Sequence, residues 1–214
     1  MALNDYVDAY CERMDPGLWA EPFNATSNAG FAVAAALLYV RLRRSPTPAP
    51  MSIRLLPALL LLVGVGSLAF HTMATVWAGW LDTGFILAFA CVFFYAFFRH
   101  SGGASWQWSA AAAFGFFWLS FGAKAWLPDL GLNGSEAYSP MLVGLFAMTA
   151  WVQRYPQVSR LFFSASLLLC VSIVLRTVDR AVCDAFPLGT HFLWHLLNAA
   201  VLYILTAAMM NKKA

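Results

Sequence analysis

Three of the four histidines in this chain can serve one metal ion. His191 and His195 stand four residues apart in the run Gly189-Thr190-His191-Phe192-Leu193-Trp194-His195. On a helix that spacing puts both imidazoles on one face, about one turn apart. Such a pair suits a single ion, and His71 is the candidate third ligand. Three protein ligands plus one open position form the pattern of a hydrolytic zinc, where the fourth place holds water whose pKa falls to about 7. The plainer reading of an HxxxH pair is two helix histidines hydrogen-bonded inside a bundle. A third histidine at matching depth, with the carboxylate of Asp82 inside an apolar stretch, favours the metal.

Two further residues belong to the same constellation. Ser67 precedes His71 by four residues in Gly66-Ser67-Leu68-Ala69-Phe70-His71, so it shares that helix face one turn deeper. Its hydroxyl either donates to a developing oxyanion or, with Gly64 and Gly66, simply allows helices to approach closely. Asp82 either moves a proton between water and a leaving group or hydrogen-bonds a ligand histidine; a helix-cap role is the bland alternative. No GxSxG turn is present, so Ser67 is not read as a nucleophile. His100, beside Arg99, reads as an ordinary interfacial residue.

The elements that must bring these residues together are membrane helices. Of 214 residues, 61% are hydrophobic and 11% charged, against about 45–50% and about 25% in soluble domains. A spanning helix needs roughly 20 mostly apolar residues, and seven stretches qualify: about 23–40, 53–73, 76–98, 106–126, 139–152, 161–178 and 188–210. Seven spans gather Arg41, Arg43, Arg44, Arg54, Arg99, Arg154, Arg160, Lys212 and Lys213 on one side with no carboxylate. Nine of the ten carboxylates fall on the other side, with only Arg13, Lys124, Arg176 and Arg180. The positive-inside rule then makes the C-terminus cytoplasmic and the acidic N-terminus external.

The fold class expected is therefore all-α: a polytopic membrane protein of seven transmembrane helices, N-terminus outside and C-terminus cytoplasmic. Residues 1–22 form an acidic external segment, 23–210 the helical domain and 211–214 a cytoplasmic tail. This topology delivers His71, Asp82, His191 and His195 to one outer layer. The acidic first 23 residues differ in sign from a secretory signal, so the N-terminus reads as retained. The absence of a basic tail or aromatic–basic interleaving argues against nucleic acid as a partner.

The motifs Tyr10-Cys11-Glu12, Trp19-Ala20-Glu21-Pro22-Phe23-Asn24 with Ser27-Asn28, Ser67-Leu68-Ala69-Phe70-His71, Asp82 and His191-Phe192-Leu193-Trp194-His195 occur in this order. Together they resemble the alkaline ceramidase family, within a wider group of seven-helix metal-dependent hydrolases that includes adiponectin receptors and haemolysin-III-like proteins. The resemblance runs from about Tyr6 to Ala200. It implies a zinc amidase acting on ceramide or a related N-acyl lipid, releasing a fatty acid and a sphingoid base. It also implies His71, His191 and His195 as zinc ligands, Ser67 at the oxyanion and Asp82 as acid/base.

The resemblance further implies calcium in the acidic tail. Glu12 and Glu21 match that pattern, whereas Ala9 stands where an acid belongs and Met14 where an amide belongs. Asp15 and Asp8 are the remaining carboxylates for such a site, calcium needing six to eight oxygens. A solvated acidic tail is the alternative. Cys11 and Cys183 both lie on the outer side, where oxidation is permitted, and the resemblance implies that they are joined. Cys91 and Cys170 read as buried apolar residues.

Three rivals stand beside the enzyme: a non-enzymatic heptahelical receptor or regulator with a structural metal, a haem-binding bundle, and a transporter using Asp82. The short loops suggest a prokaryotic cytoplasmic membrane with the site toward its extracytoplasmic face. The lipid partner is expected to enter from the bilayer.

Overall fold

The computed structural model describes residues 2–128 and 130–210, with Lys124 by its backbone alone. The charges expected of Asp129, Lys212 and Lys213, and the tail 211–214, lie outside the described residues, as does the Lys124 side chain. The helices are α1 (Pro22–Ser27), α2 (Ala29–Arg44), α3 (Met51–Met73), α4 (Val76–His100), α5 (Trp106–Trp126), α6 (Ser139–Trp151), α7 (Pro156–Val178) and α8 (His191–Met210). Single 3-10 turns at Ser135–Tyr138 and Asp179–Val182 precede α6 and follow α7. No strand occurs among the described residues beyond one bridge between Tyr6 and Thr75.

Local chemistry sets the ends. Proline opens α1, α6 and α7, where its fixed φ suits the first turn and its missing N–H has no partner to lose. The Ser105 hydroxyl caps α5 by accepting from the Trp108 amide at 3.4 Å. Asn28 keeps helical dihedrals between α1 and α2, so the two run on as one 23-residue helix, Pro22–Arg44. Between α3 and α4, Ala74 turns the chain in the left-handed region at φ 46°. The N-terminal strap lies across that turn: Val76 and Trp77 donate to the Asp5 and Leu3 carbonyls at 3.2 and 3.0 Å, and Val7 donates to Ala74 at 2.8 Å. The first amides of α4, which lack partners inside their own helix, are thereby satisfied.

Small residues let the helices close on one another. A Cβ on Gly66 would stand 2.9 Å from the Leu81 carbonyl of α4, and one on Gly64 would stand 2.8 Å from Phe31 Cβ of α2. The middle of the bundle is filled by Phe89, Phe93 and Phe97, spaced by four along one face of α4, with Phe162 of α7. The Phe93 and Phe97 rings stand 6.1 and 5.5 Å from that of Phe162. Large apolar side chains such as Leu61, Phe114, Phe121 and Val171 point outward, exposed, as a lipid-facing surface requires.

Among the described residues, five helices are long and apolar enough to cross a membrane: Pro22–Arg44, Met51–Met73, Val76–His100, Pro156–Val182 and His191–Met210. The chain is a multi-pass membrane protein. The sequence led us to expect seven such helices, and the two that fall short have physical reasons. α6 has 13 residues, a rise of about 20 Å against a hydrocarbon core of about 30 Å. α5 has 21 residues but interrupts its apolar run with Gln107, Ser109, Ser120 and Lys124.

Candidate metal centre

His71 sits in the last turn of α3, and His191 and His195 in the first turns of α8. All three are essentially buried, at 0, 2 and 1% exposure. One nitrogen from each lies within 4.8 Å of those from the other two, and His71 Nε2 is 3.1 Å from His195 Nε2. This is the one group of three or more His, Cys, Asp or Glu side chains among the described residues with metal-binding proximity.

The partners of the outer nitrogens decide what the inner ones carry. His71 Nδ1 lies 2.5 Å from Glu21 Oε2; a carboxylate only accepts, so Nδ1–H donates. The Ser27 hydroxyl donates to the Asn24 carbonyl at 2.9 Å and lies 2.7 Å from His195 Nδ1. Its single hydrogen is thus committed, and it accepts from His195 Nδ1–H. With both rings neutral, each Nε2, 3.1 Å from the other, offers a lone pair to a cation. His191 Nδ1 is buried and has no hydrogen-bond partner. The donor set fits a transition metal that takes imidazole nitrogen, zinc among them, and the Glu21–His71 pair is the carboxylate–histidine arrangement that orients such ligands.

The other expected residues lie around this cluster. Ser67 is buried, its hydroxyl 3.3 Å from His195 Nε2. Asp82, in the second turn of α4 and half-buried, lies beside Ser67 and within electrostatic reach of His71 and Arg176. Ser67, Asp82 and His195 line one end of a cavity whose remaining wall is largely apolar, including Val63, Ile86, Leu145, Leu169 and Leu205.

The tail is stitched onto the site. Tyr10 stacks on His191 with ring centroids 3.5 Å apart. The Cys11 and Cys183 sulfurs are bonded. The Asp179 carboxylate, fully buried, accepts from the Cys11 amide at 3.0 Å and from the Thr190 and His191 amides at 2.6 and 2.9 Å. Those last two open α8, where exposed amides and the helix dipole favour an anion. Gly189 must be glycine here: its φ is +62°, and a Cβ would press on Asp179 and stand 2.8 Å from Cys11 Cβ.

Residues 10–213, nearly the whole chain, match the sequence profile of the family described as Ceramidase. The chain belongs to the ceramidase family. No curated protein matches it. The matched region takes in every residue of the histidine cluster, with Glu21, Ser67 and Asp82. Ceramidases act on an amide bond, and the ceramidase match joins this chain to hydrolases of that kind.

The four carboxylates expected to hold calcium do not gather in this structure. Asp8 is exposed, and Asp15 Oδ1 closes a turn onto the Gly17 amide at 2.6 Å. Both oxygens of Glu12 are engaged, accepting from the Phe23 and Asn24 amides at 2.6 and 2.8 Å. Glu21 is turned to His71, Asn24 Nδ2 at 2.9 Å and Arg13. A calcium site built on these four side chains does not fit this structure.

Electrostatics follow from the same contacts. Burial pushes the Glu12 carboxyl up, although the Phe23 and Asn24 amides pull the other way. Burial also works to raise Glu21, but hydrogen bonds from His71, Asn24 and Arg13 more than offset it and hold that carboxyl below its usual range. The Tyr10 phenol is pushed up by burial and stays neutral. Sequence reasoning assigned Glu21 to calcium and gave no role to Ser27, Asp179 or Arg13. Their partners lie far along the chain, and the one available signal was an unusually polar stretch, Glu21 to Asn28, at the start of an apolar helix.

Proposed function

We propose that this ceramidase-family chain is a zinc-dependent intramembrane hydrolase that cleaves the amide bond of ceramide or a related N-acyl lipid. The products are a fatty acid and a free amine, such as a sphingoid base. The observation that carries the reading is the approach of the His71 and His195 Nε2 atoms to 3.1 Å, with a His191 nitrogen within 4.8 Å of both ligand atoms. A zinc ion held by these three histidines supplies Lewis-acid polarisation of a carbonyl and a lowered pKa for water.

The chain's own groups do the rest. Glu21 and Ser27 fix the tautomers of His71 and His195, so that both present an unprotonated Nε2. The Asp82 carboxylate takes a proton as a water oxygen bonds to the amide carbon, and returns it to the nitrogen as the C–N bond breaks. The Ser67 hydroxyl donates a hydrogen bond to the oxygen on which charge develops. The apolar side chains between His195 and Leu205 along α8, about 15 Å at roughly 1.5 Å per residue, mark the path along which the acyl chain would pack as the helices part.

The same reading takes Pro22–Arg44 and α3 to α8 as seven crossings, N-terminus outside and C-terminus cytoplasmic. Segregation of Arg41, Arg43, Arg44, Arg99, Arg154 and Arg160 from the acidic tail supports that orientation. It puts the site at the extracytoplasmic face of a prokaryotic cytoplasmic membrane. Purified protein loaded with zinc and given ceramide in mixed micelles is the test. Release of equal amounts of fatty acid and sphingoid base, read by mass spectrometry, is expected. Zinc-loaded protein that releases neither from ceramide nor from simpler N-acyl lipids would contradict the reading.

A further inference from the structure

Arg13 is the one cation that the charge rule left on the acidic tail, and it is nearly buried, at 3% exposure. Its guanidinium donates through Nε to Glu21 Oε1 at 2.5 Å. Through Nη1 it donates to the Asp15 and Gly17 carbonyls, both at 3.2 Å, and through Nη2 to the His71 carbonyl at 2.8 Å. One carboxylate and three carbonyls thus converge on a positive charge. Carboxylate and carbonyl oxygens are also the donors that hard divalent cations take.

We propose that the Arg13 guanidinium is a built-in cation that replaces calcium in this chain, so that the tail is locked onto the histidine cluster without any divalent ion. Arg13 is a positioning residue. It neutralises one oxygen of Glu21 while the other holds His71 Nδ1, and it anchors the backbone of the same histidine. Side chain and main chain of His71 are therefore fixed by one fork, a geometry that arginine offers and lysine does not. The carbonyls of Asp15 and Gly17 close the tail around it. The cation is covalently part of the chain and cannot dissociate.

The proposal rests on His71 being a metal ligand, but its test does not use ceramide hydrolysis, so failure of the hydrolase reading and failure of this one are separate results. Calcium chloride is titrated into the zinc-loaded, detergent-purified protein, with heat and thermal unfolding as readouts. No saturable heat and no shift in Tm are expected of the wild type. A one-to-one binding isotherm with a raised Tm would overturn the proposal.

Arg13→Ala leaves Glu21 and three carbonyls around a guanidinium-sized void. Zinc affinity should fall roughly 10–100-fold, the range for losing a group that orients a ligand histidine. Millimolar guanidinium or calcium should restore zinc occupancy and Tm in that variant and do nothing to the wild type. Arg13→Lys, which keeps the charge but not the fork, should fall between the two. Arg13→Ala protein with wild-type Tm and wild-type zinc affinity would also overturn the proposal. The wild-type titration stands by itself if Arg13→Ala does not fold.

Discussion

The two ends of the bundle both carry histidine and arginine, yet they are built differently. At one end His71, His191 and His195 are buried, and Glu21, Ser27, Tyr10 and Arg13 hold the rings or the backbone behind them. At the other end His100 is half-buried and bonded through Nε2 to Ser52 at 3.0 Å. It borders a cavity of about 630 Å³ lined by Arg41, Arg44 and Arg99. Residue type does not distinguish these ends; the convergence of three buried histidines at one of them does. Where ring nitrogens are tied from behind, lone pairs converge in front. At the other end no group of three His, Cys, Asp or Glu side chains with metal-binding proximity occurs among the described residues.

That contrast can be broken at several levels. The largest effect is expected from His195→Ala, which removes a ligand nitrogen and should abolish both metal binding and hydrolysis. Asp82→Asn should retain the metal but lose about 10²–10⁴-fold in kcat, the usual share of a positioned acid or base; steady-state assays beside a metal analysis separate the two. Ser67→Ala should lose on the order of 10²–10³-fold in kcat, as removal of a single oxyanion donor does, with little change in KM. Glu21→Gln keeps the shape but removes the carboxylate behind His71, and should cost roughly 10–100-fold in zinc affinity, measured by competition with a chelator. His100→Ala, at the far end, should leave zinc content and turnover at wild-type levels. A large loss there would erase the distinction between the two ends.

The sequence made the histidine cluster legible because helical spacing pairs two of its members and the ends of two long apolar helices supply all three. His191 and His195 share a face by period, and His71 arrives at the same depth because α3 and α8 meet at that end. The start of the first helix was read to within a residue, at about 23 against Pro22, whereas α7 was read from about 161 but opens at Pro156. What lay outside its reach has a common cause. Glu21 on His71, Asp179 on the start of α8, and Arg13 on the His71 carbonyl are contacts made by irregular segments, which carry no period. A charge rule explains why the tail is acidic, but not which oxygen faces which nitrogen. It was this limit that made Glu12 and Glu21 look like calcium ligands, when one caps α1 and the other orients a histidine. Of the seven expected spans, five reach membrane length and apolarity among the described residues; α6 is apolar throughout, but apolarity does not reveal that its helix ends after 13 residues.

The central claim is that three histidines hold one zinc ion that hydrolysis requires. Its most direct test is the metal content of detergent-purified protein, wild type beside His191→Ala, by elemental mass spectrometry, with a thermal unfolding trace to show that both are folded. About one zinc per chain in the wild type and none in the variant is the predicted result. Folded wild-type protein that takes up no zinc when zinc is supplied, or a variant that retains it, would contradict the account.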